Sequence, residues 1–288
     1  MLATRRRVVD LNAMIRLRRL FLLPGQATMT LLFWLPLLIV LVYSLLTRGT
    51  YGGVTPPFTA ESYARVTDRL YLEIFWRSFW IAAVSTLICL LLAFPLAFYI
   101  AQITRHKILL LNLVTLPFWT SFLIRTYAWM FLLRDTGIIN STLQSLHLIQ
   151  EPLPLLFNTG AVILGLVYGY LPFMVFPLYA TLEKLDTVLL EAAQDLGASP
   201  LEAVWRIAVP LAKPGILAGC VLVFIPCLGA YLTPDLMGGG KTVMLGNLVQ
   251  NQFTTARDWP FGAAISLAFM LLAFAVTALV RHRTEELL

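Results

Sequence analysis

The sequence predicts an all-α integral membrane protein with six transmembrane helices, and two observations carry this prediction. Of its 288 residues, 59% are hydrophobic and only 12% are charged, whereas charged residues approach about a quarter of a soluble domain. The apolar residues also gather in runs of about 20, the length that a helix needs to cross a bilayer core about 30 Å thick. The predicted spans are Ala27–Thr47, Phe79–Ala101, Ile108–Leu133, Gly160–Leu182, Ile216–Leu232 and Phe261–Val280.

The predicted spans differ in how well their sequences define them. The first, second and last contain no charged residue, whereas the fifth is short and the third contains Arg125. A charge inside a bilayer is costly, so Arg125 fits an ion or substrate path. It equally fits an anchor whose long side chain reaches the outer interface beside Tyr127 and Trp129. Both interpretations stay open.

The orientation follows from the Lys and Arg residues between the spans. With both termini in the cytoplasm, thirteen of these residues lie on the inner side and seven on the outer side. Because cationic loops are retained in the cytoplasm, this count predicts cytoplasmic termini. Residues 1–26 then form a basic cytoplasmic tail, and residues 27–288 form the six-helix domain. The net charge of +6 belongs to the inner membrane surface and predicts no nucleic-acid partner.

Several kinds of chemistry have no counterpart in the sequence. The three cysteines lie in apolar runs and the three histidines lie outside them, which predicts no metal site, no disulfide framework and no catalytic triad. The stretch GGGKT, Gly238–Thr242, resembles the end of a phosphate-binding loop. However, Asp235 stands where that loop needs its first glycine. We therefore predict a hairpin-like turn there, no catalytic residue and no cofactor bound by this chain.

One polar stretch, EAAQDLGASPLEAVWRIAVP at residues 191–210, interrupts the apolar sequence. Asp186 is a predicted cap for a first short helix, which Gly197 ends in the left-handed conformation. Ser199 and Glu202 then form a capping box around Pro200 and begin a second short helix that ends near Pro210. The predicted apolar face of the first helix consists of Leu189, Leu190, Ala193 and Leu196. The loop fits either an ordinary amphipathic connection or a rigid projection that binds a cytoplasmic partner.

The spacing of this loop resembles the EAA loop of permease subunits in binding-protein-dependent ABC importers. The matching residues are Glu191, Ala192, Ala193, Gly197, Ile207 and Pro210, and Val209 replaces the usual leucine. The resemblance implies a type I ABC importer permease fold in which cytosolic coupling helices, within residues 183–214, insert into ATPase subunits. Asp195, Ser199 and Pro200 lie within the same predicted ATPase-coupling site.

The resemblance extends over residues 75–265. Stretches such as TLPFWTSFLIRTYAWM at residues 115–130 and PDLMGGGKTVMLGN at residues 234–247 are similar to the spermidine/putrescine permeases, in particular to the first of the two permease subunits. The resemblance implies a bacterial inner-membrane subunit that imports polyamines by alternating access. Its implied partners are a second permease subunit, two cytosolic ATPases that carry ATP and Mg, a periplasmic polyamine-binding protein and the lipid bilayer.

A polyamine path needs carboxylates for ammonium groups and aromatic faces for cations and methylenes. The predicted spans contain no carboxylate, so Asp235, just beyond the fifth span, is the candidate acid near the outer mouth. Trp119, Tyr127, Tyr170 and Tyr231 are candidate aromatic walls, although Trp and Tyr also gather at membrane interfaces without binding substrate.

Two other transport functions remain as alternatives. An ABC permease for another small cationic or amino-acid-derived solute would have the same architecture. A secondary transporter working alone typically has acids at the membrane midplane or internal repeats, and this sequence has neither. An intramembrane enzyme would need paired catalytic residues at membrane depth, which the predicted spans lack.

Overall fold

The computed structural model describes the backbone of residues 11–285 and the side chains of residues 21–280. The first ten residues of the predicted basic tail lie outside this part of the chain. Within it the helices are α1 (Leu11–Ser44), α2 (Glu61–Val66), α3 (Arg69–Phe98), α4 (Lys107–Thr115), α5 (Phe122–Leu133), α6 (Ile138–Ser145), α7 (Thr159–Leu182), α8 (Thr187–Asp195), α9 (Pro200–Ala203), α10 (Val209–Leu211), α11 (Lys213–Leu228), α12 (Leu232–Gly238), α13 (Leu245–Thr254) and α14 (Trp259–Glu285).

Short irregular elements extend or connect these helices. Two π-helical segments, Tyr99–Ile103 and Val204–Ala208, continue α3 and α9, and a 3₁₀ turn at Leu116–Trp119 continues α4. Strands β1 (Leu46–Arg48) and β2 (Val54–Phe58) pair antiparallel after α1. The predicted first span extended to Thr47, whereas α1 ends at Ser44 and Thr47 pairs with Thr55 in this hairpin.

Four helical segments of the described chain are long and apolar enough to cross a membrane unbroken, namely Phe21–Ser44, Arg69–Ile103, Thr159–Leu182 and Trp259–Val280. Two more spans result if each of two bent pairs counts as one. These pairs are Lys107–Trp119 with Phe122–Ser145, bent by 88°, and Pro200–Leu211 with Lys213–Leu228, bent by 69°. The described chain is therefore a helical membrane protein with four to six spans.

Two predicted spans differ from the structure: the predicted span Ile108–Leu133 is broken within the first bent pair, and the predicted bounds of the span Ile216–Leu232 were wrong. Ser121 is extended, with ψ 137°, and separates α4 and its 3₁₀ turn from α5. Pro117 lies in that turn, where its missing N–H interrupts no regular α-helix. The fifth span instead ends at Leu228, two residues after Pro226, and the chain resumes its helical conformation at Leu232.

The core lies where α3, α7 and α11 pack together, and glycines set how closely the helices approach. A Cβ on Gly219 would lie 2.5 Å from Sδ of Met174 on α7, and one on Gly215 would lie 2.7 Å from the carbonyl oxygen of Pro177. On α7, Gly165 contacts α12 and Gly169 contacts Phe122. These glycines therefore let the helix backbones approach closely.

The two ends of α7 define two ends of the bundle. Residues 183–214 follow the C-terminus of α7, and we call this side the coupling-loop end. The opposite end carries the β-hairpin and the turn before α14, which hydrogen bonds join. Arg65 forms a 2.8 Å ion pair with the buried Asp258, and Arg48 donates to the carbonyl oxygen of Ala256 at 2.6 Å. These contacts fix the start of α14 against the segment between α1 and α3.

Candidate functional site

The first helix of the polar loop, α8, ends in a hydrogen-bonded turn. Oδ1 of Asp186 accepts from the backbone N–H of Val188 at 3.0 Å and so caps its start. At its end Gly197 has φ +91°, and its N–H donates to the carbonyl oxygen of Gln194 at 2.9 Å. The N–H of Ala198 donates to the carbonyl oxygen of Ala193 at 3.0 Å. This pair of bonds is the Schellman motif, and the predicted helix end at Gly197 is confirmed.

The second helix begins with the predicted capping box. The backbone N–H of Glu202 donates to Oγ of Ser199 at 3.3 Å, and Oε2 of Glu202 accepts from the N–H of Ser199 at 2.9 Å. This backbone hydrogen bond, with the hydroxyl of Ser199 and the charge of Arg206, lowers the pKa of Glu202. The box therefore contributes its full stability when Glu202 is ionised and loses part of it as the pH falls through the lowered pKa.

The loop is attached to the bundle by both apolar and polar contacts. Leu190 is buried in the main core, and Ala193 and Ile207 pack against it. Nε2 of Gln102, in the π-helical segment that continues α3, donates to the carbonyl oxygens of Leu182 at 2.5 Å and Leu185 at 3.1 Å. Gln102 thus holds the segment that leads into α8. Sequence reasoning missed this residue because one polar side chain near a span end carries no distinctive signal.

Sequence reasoning also missed Glu183, which connects the start of the loop to α4 and α7 at the coupling-loop end. Its Oε1 accepts a hydrogen bond from the Tyr179 hydroxyl at 2.5 Å and lies 3.7 Å from Nζ of Lys107. Lys107 begins α4 and Tyr179 lies in the last turn of α7. These contacts therefore connect the start of the loop directly to α4 and α7.

The outward surface of the loop combines acids with large apolar side chains. Glu191, Ala192 and Asp195 are exposed, as are Ser199, Pro200 and Pro210. Leu196 is 89% exposed and Trp205 is 62% exposed. The predicted single apolar face was wrong in part, because Leu190 and Ala193 face the core whereas Leu189 and Leu196 face outward. Leu196 lies between the candidate spans, and an apolar side chain this exposed there marks a surface suited to a protein partner.

Two of the candidate aromatic walls, Tyr170 and Tyr231, meet at one cleft of about 260 Å³. Its other lining residues are Phe122, Gly229, Ala230, Leu232 and Thr233. The cleft lies beside residues 229–231, the non-helical segment between α11 and α12. The Tyr170 hydroxyl donates to the carbonyl oxygen of Pro226 at 3.4 Å, a carbonyl left without a helical partner at the end of α11.

The unwound segment 229–231 is held from the other side by α13. Nδ2 of Asn247 donates to the carbonyl oxygen of Tyr231 at 2.7 Å. A second cleft of about 440 Å³, lined in part by Gly246 and Phe269, also shares Gly229 and Tyr231 with the first. Tyr231 therefore lies between two clefts, and the backbone of its segment is fixed by α7 and α13.

The other three candidate path residues do not line the Tyr170 cleft. Trp119 lies at the bend between α4 and α5 and is 80% exposed, and Tyr127 lies on the exposed side of α5. Asp235 is exposed in the first turn of α12. Among residues 21–280 no Lys or Arg side chain forms an ion pair with it. A carboxylate free of such a partner is available to a cation from outside the chain.

Arg125 lies in the first turn of α5 and packs against aromatic rings. Its Cζ lies 4.8 Å from the ring centroid of Phe118, 5.5 Å from that of Phe122 and 6.0 Å from that of Tyr168. Tyr168 is nine residues beyond Thr159, the start of α7, or about 14 Å along the helix axis. The guanidinium therefore lies among side chains within the bundle, which differs from the anchor that reaches the outer interface.

The GGGKT stretch forms a turn between two helices. Gly239 and Gly240 have φ +57° and +76°, and the N–H of Lys241 donates to the carbonyl oxygen of Gly238 at 3.1 Å. The predicted turn exists, but it connects α12 to α13 and not two strands, so the hairpin-like form was wrong. Within the described part of the chain no group of three His, Cys, Asp or Glu side chains is arranged to hold a metal.

The sequence matches one protein family over most of its length. Residues 20–284 match the family described as "Binding-protein-dependent transport system inner membrane component". The chain belongs to this family. It is therefore a membrane component of a transport system and not an enzyme, as the EAA loop predicted.

Several relatives of this chain are permease proteins of transport systems. The chain is 45% identical over 262 residues to the spermidine/putrescine transport system permease protein PotB of Escherichia coli (strain K12), covering 90% of this chain and 94% of that protein. It is 42% identical to PotB of Haemophilus influenzae, with 88% and 89% covered. The inner membrane ABC transporter permease protein YdcU of E. coli is 33% identical, with 80% and 77% covered.

A solved structure shows the same fold. The match is to a chain in the crystal structure of a bacterial alginate ABC transporter in complex with an alginate pentasaccharide-bound periplasmic protein. The TM-score is 0.78 at 15% identity, and 97% of this chain and 98% of that chain are covered. This chain therefore has the fold of an ABC importer permease, which confirms the predicted permease fold.

Proposed function

We propose that this chain is the transmembrane permease subunit of an ATP-driven importer that moves polyamines from the periplasm to the cytoplasm. The observation that carries the proposal is its 45% identity, over 94% of the relative's length, to a spermidine/putrescine permease. In this proposal a second permease subunit completes the path, two ATPase subunits carry ATP and Mg, and a periplasmic binding protein delivers the substrate.

The proposed ATPase contact is the outward surface of α8 and α9. Short helices joined by a Schellman turn and a capping box form a rigid unit, because both helix ends have their backbone groups paired. Glu191, Asp195 and Leu196 on that unit are free to contact a partner. Force on the unit passes to α4 and α7 through Glu183 and to α3 through Gln102. The charge distribution supports cytoplasmic termini and hence an ATPase on this side.

The proposed substrate path follows the breaks in the spans. Irregular backbone at membrane depth is tolerated where it lines a cavity, and residues 229–231 line two clefts. Tyr170 and Tyr231 offer aromatic faces to ammonium and methylene groups, and Asp235 offers a carboxylate less than two helical turns away along the chain. Trp119 and Tyr127 are retained as aromatic residues of a path completed by the second permease.

The function is tested by uptake into proteoliposomes. The full complex of this chain, the second permease, two ATPases and the binding protein is reconstituted with ATP inside, and uptake of labelled spermidine and putrescine is measured. We expect ATP-dependent uptake of at least one of them, blocked by excess unlabelled polyamine. If uptake fails while labelled arginine or another cationic solute is taken up, the polyamine assignment is wrong and the alternative substrate class is correct.

Replacement of Asp235 by asparagine is expected to raise the half-saturating polyamine concentration about tenfold. The change removes one charge of a charge-assisted contact, worth roughly 1.5–3 kcal/mol, without changing the size of the side chain. The measurement is the concentration dependence of spermidine uptake in the same proteoliposomes. Glu151→Gln, an exposed acid between α6 and α7, is the matched control and should leave uptake unchanged. Equal curves for Asp235→Asn and wild type would remove Asp235 from the path.

A further inference from the structure

The packing of Arg125 resembles that of a bound ligand. Three aromatic rings, those of Phe118, Phe122 and Tyr168, surround its guanidinium at 4.8–6.0 Å. The aromatic faces provide a negative electrostatic surface for a cation. We call these three residues the aromatic cage. They come from the 3₁₀ turn after α4, from α5 and from α7.

No acceptor neutralises this cation within the described chain. Nε and Nη1 of Arg125 are buried and have no hydrogen-bond partner, and no Asp or Glu side chain among residues 21–280 pairs with it. The residue also lies in the first turn of α5, where the helix dipole disfavours positive charge. Buried donors without acceptors are costly. A packing need alone does not account for an arginine here, because an apolar side chain would fill the space without that cost.

The aromatic cage adjoins the Tyr170 cleft. Phe122 belongs to both, since its ring faces Arg125 and also lines the cleft with Tyr170 and Tyr231. A second connection runs through Phe173, whose ring contacts Phe118 at 5.3 Å and Tyr170 at 6.2 Å. A cation in the Tyr170 cleft is thus one aromatic ring away from the guanidinium.

We propose that Arg125 is a built-in cation that occupies the aromatic cage and competes with an ammonium group of the substrate for it. The inference rests on the proposed polyamine function. An aromatic cage left empty beside the path would hold an ammonium group tightly, and a transport path must bind its cargo weakly enough to release it. With the cage filled and a positive charge beside the cleft, the cargo is bound only in passing. On this basis Arg125 sets the affinity of the path for its cargo.

Equilibrium binding tests the competition directly. The full complex without the binding protein is purified, and binding of labelled spermidine is measured by equilibrium dialysis. Arg125→Gln and Arg125→Met both empty the cage of its cation. Each is expected to lower the Kd about tenfold, because the ammonium group can then interact with the freed rings and a repelling charge is absent. Arg125→Lys keeps the cation and should bind spermidine as wild type does. In proteoliposome uptake the two neutral variants should show a lower half-saturating concentration and a lower maximal rate.

Arg134→Gln is the matched control. Arg134 lies just beyond the other end of α5, is exposed, and has one ring, that of Phe131, at 5.9 Å. It should leave the Kd unchanged. An unchanged or weakened Kd in both neutral variants would overturn the proposal. Loss of the second permease from the purified variants would also overturn it, since Arg125 would then be a contact between subunits. Spermidine uptake by the wild-type complex tests the proposed function by itself. If wild type takes up spermidine and the variants give either of these results, only the proposal for Arg125 fails.

Discussion

A transporter carrying Gly197→Asp in this chain is expected to keep hydrolysing ATP while its substrate uptake falls by roughly tenfold or more. Gly197 has φ +91°, which only glycine adopts without strain, and a side chain there costs about 1–3 kcal/mol. The strain is relieved when the turn between α8 and α9 changes its shape. The two helices then no longer present Glu191 and Leu196 in their native arrangement, and ATP-driven movement of the ATPases is not passed to the spans.

The fold of the rest of the chain should survive this substitution. No atom outside the neighbouring residues lies within 4 Å of the position that a Cβ of Gly197 would occupy, so the core is not disturbed. The measurements are the ATPase rate and the uptake rate of the same proteoliposomes, with membrane insertion checked by immunoblotting.

Two further variants separate backbone strain from other effects. Gly240→Asp is the matched control, because Gly240 also has a positive φ, +76°, and open space around it, but lies at the opposite end. It should transport normally. Glu191→Lys changes the outward surface of α8 without altering its backbone and is expected to uncouple as well. Normal transport by Gly197→Asp would remove the loop from the coupling mechanism.

The coupling loop at residues 183–214 shows which features the sequence could predict and which it could not. The caps at Asp186 and Ser199 and the helix end at Gly197 were predicted correctly, because each is a local rule read within four residues. The direction in which the apolar side chains of α8 face was predicted less well. Whether Leu196 faces the core or the outside depends on how α8 docks against residues far away in the sequence, and no local periodicity encodes that.

The breaks in the spans were harder to predict for a physical reason. Pro226 lies two residues before the end of α11 and Pro117 lies in the 3₁₀ turn after α4, but Pro95, Pro172 and Pro177 stay inside continuous helices. The outcome depends on whether neighbours pair the freed groups. The end of α11 at Leu228 is stabilised by Tyr170 and Asn247, 56 and 16 residues away from their bonding partners. Because these partners are distant in the sequence, Tyr170 was predicted as an aromatic wall of the path but not as a hydrogen-bond donor to the end of α11.

Arg125 illustrates a third kind of case. The sequence showed a charge in an apolar run and left two interpretations, an anchor and a path residue. Its depth was not predictable, because the 88° bend after Trp119 directs α5 away from the line that a straight span would follow. Phe118 and Phe122 lie close to Arg125 in the sequence, but Tyr168 comes from α7, so the complete aromatic cage depends on how α5 packs against α7.

The substitution Gly246→Ala is expected to reduce transport at least as strongly as Gly197→Asp, but through the path and not through the loop. An added Cβ would overlap the carbonyl oxygen of Gly229 and lie 2.5 Å from that of Ala230. Both are backbone atoms, so the unwound segment or α13 must shift, and overpacking of this kind costs about 1–3 kcal/mol or more. We expect roughly a tenfold loss of uptake, with reduced thermal stability of the purified complex.

The reason for so large an effect lies in what the unwound segment carries. Asn247, next to Gly246, holds the carbonyl oxygen of Tyr231, so any shift of α13 also moves the side chain that separates the two clefts. Uptake and thermal unfolding of the complex are measured together, with Gly25→Ala as the control because a Cβ on Gly25 meets no atom within 4 Å. A defect confined to uptake, with unchanged unfolding temperature, would locate the effect in the path alone. Normal uptake by Gly246→Ala would show that the close approach of α13 to residues 229–231 is not needed for transport.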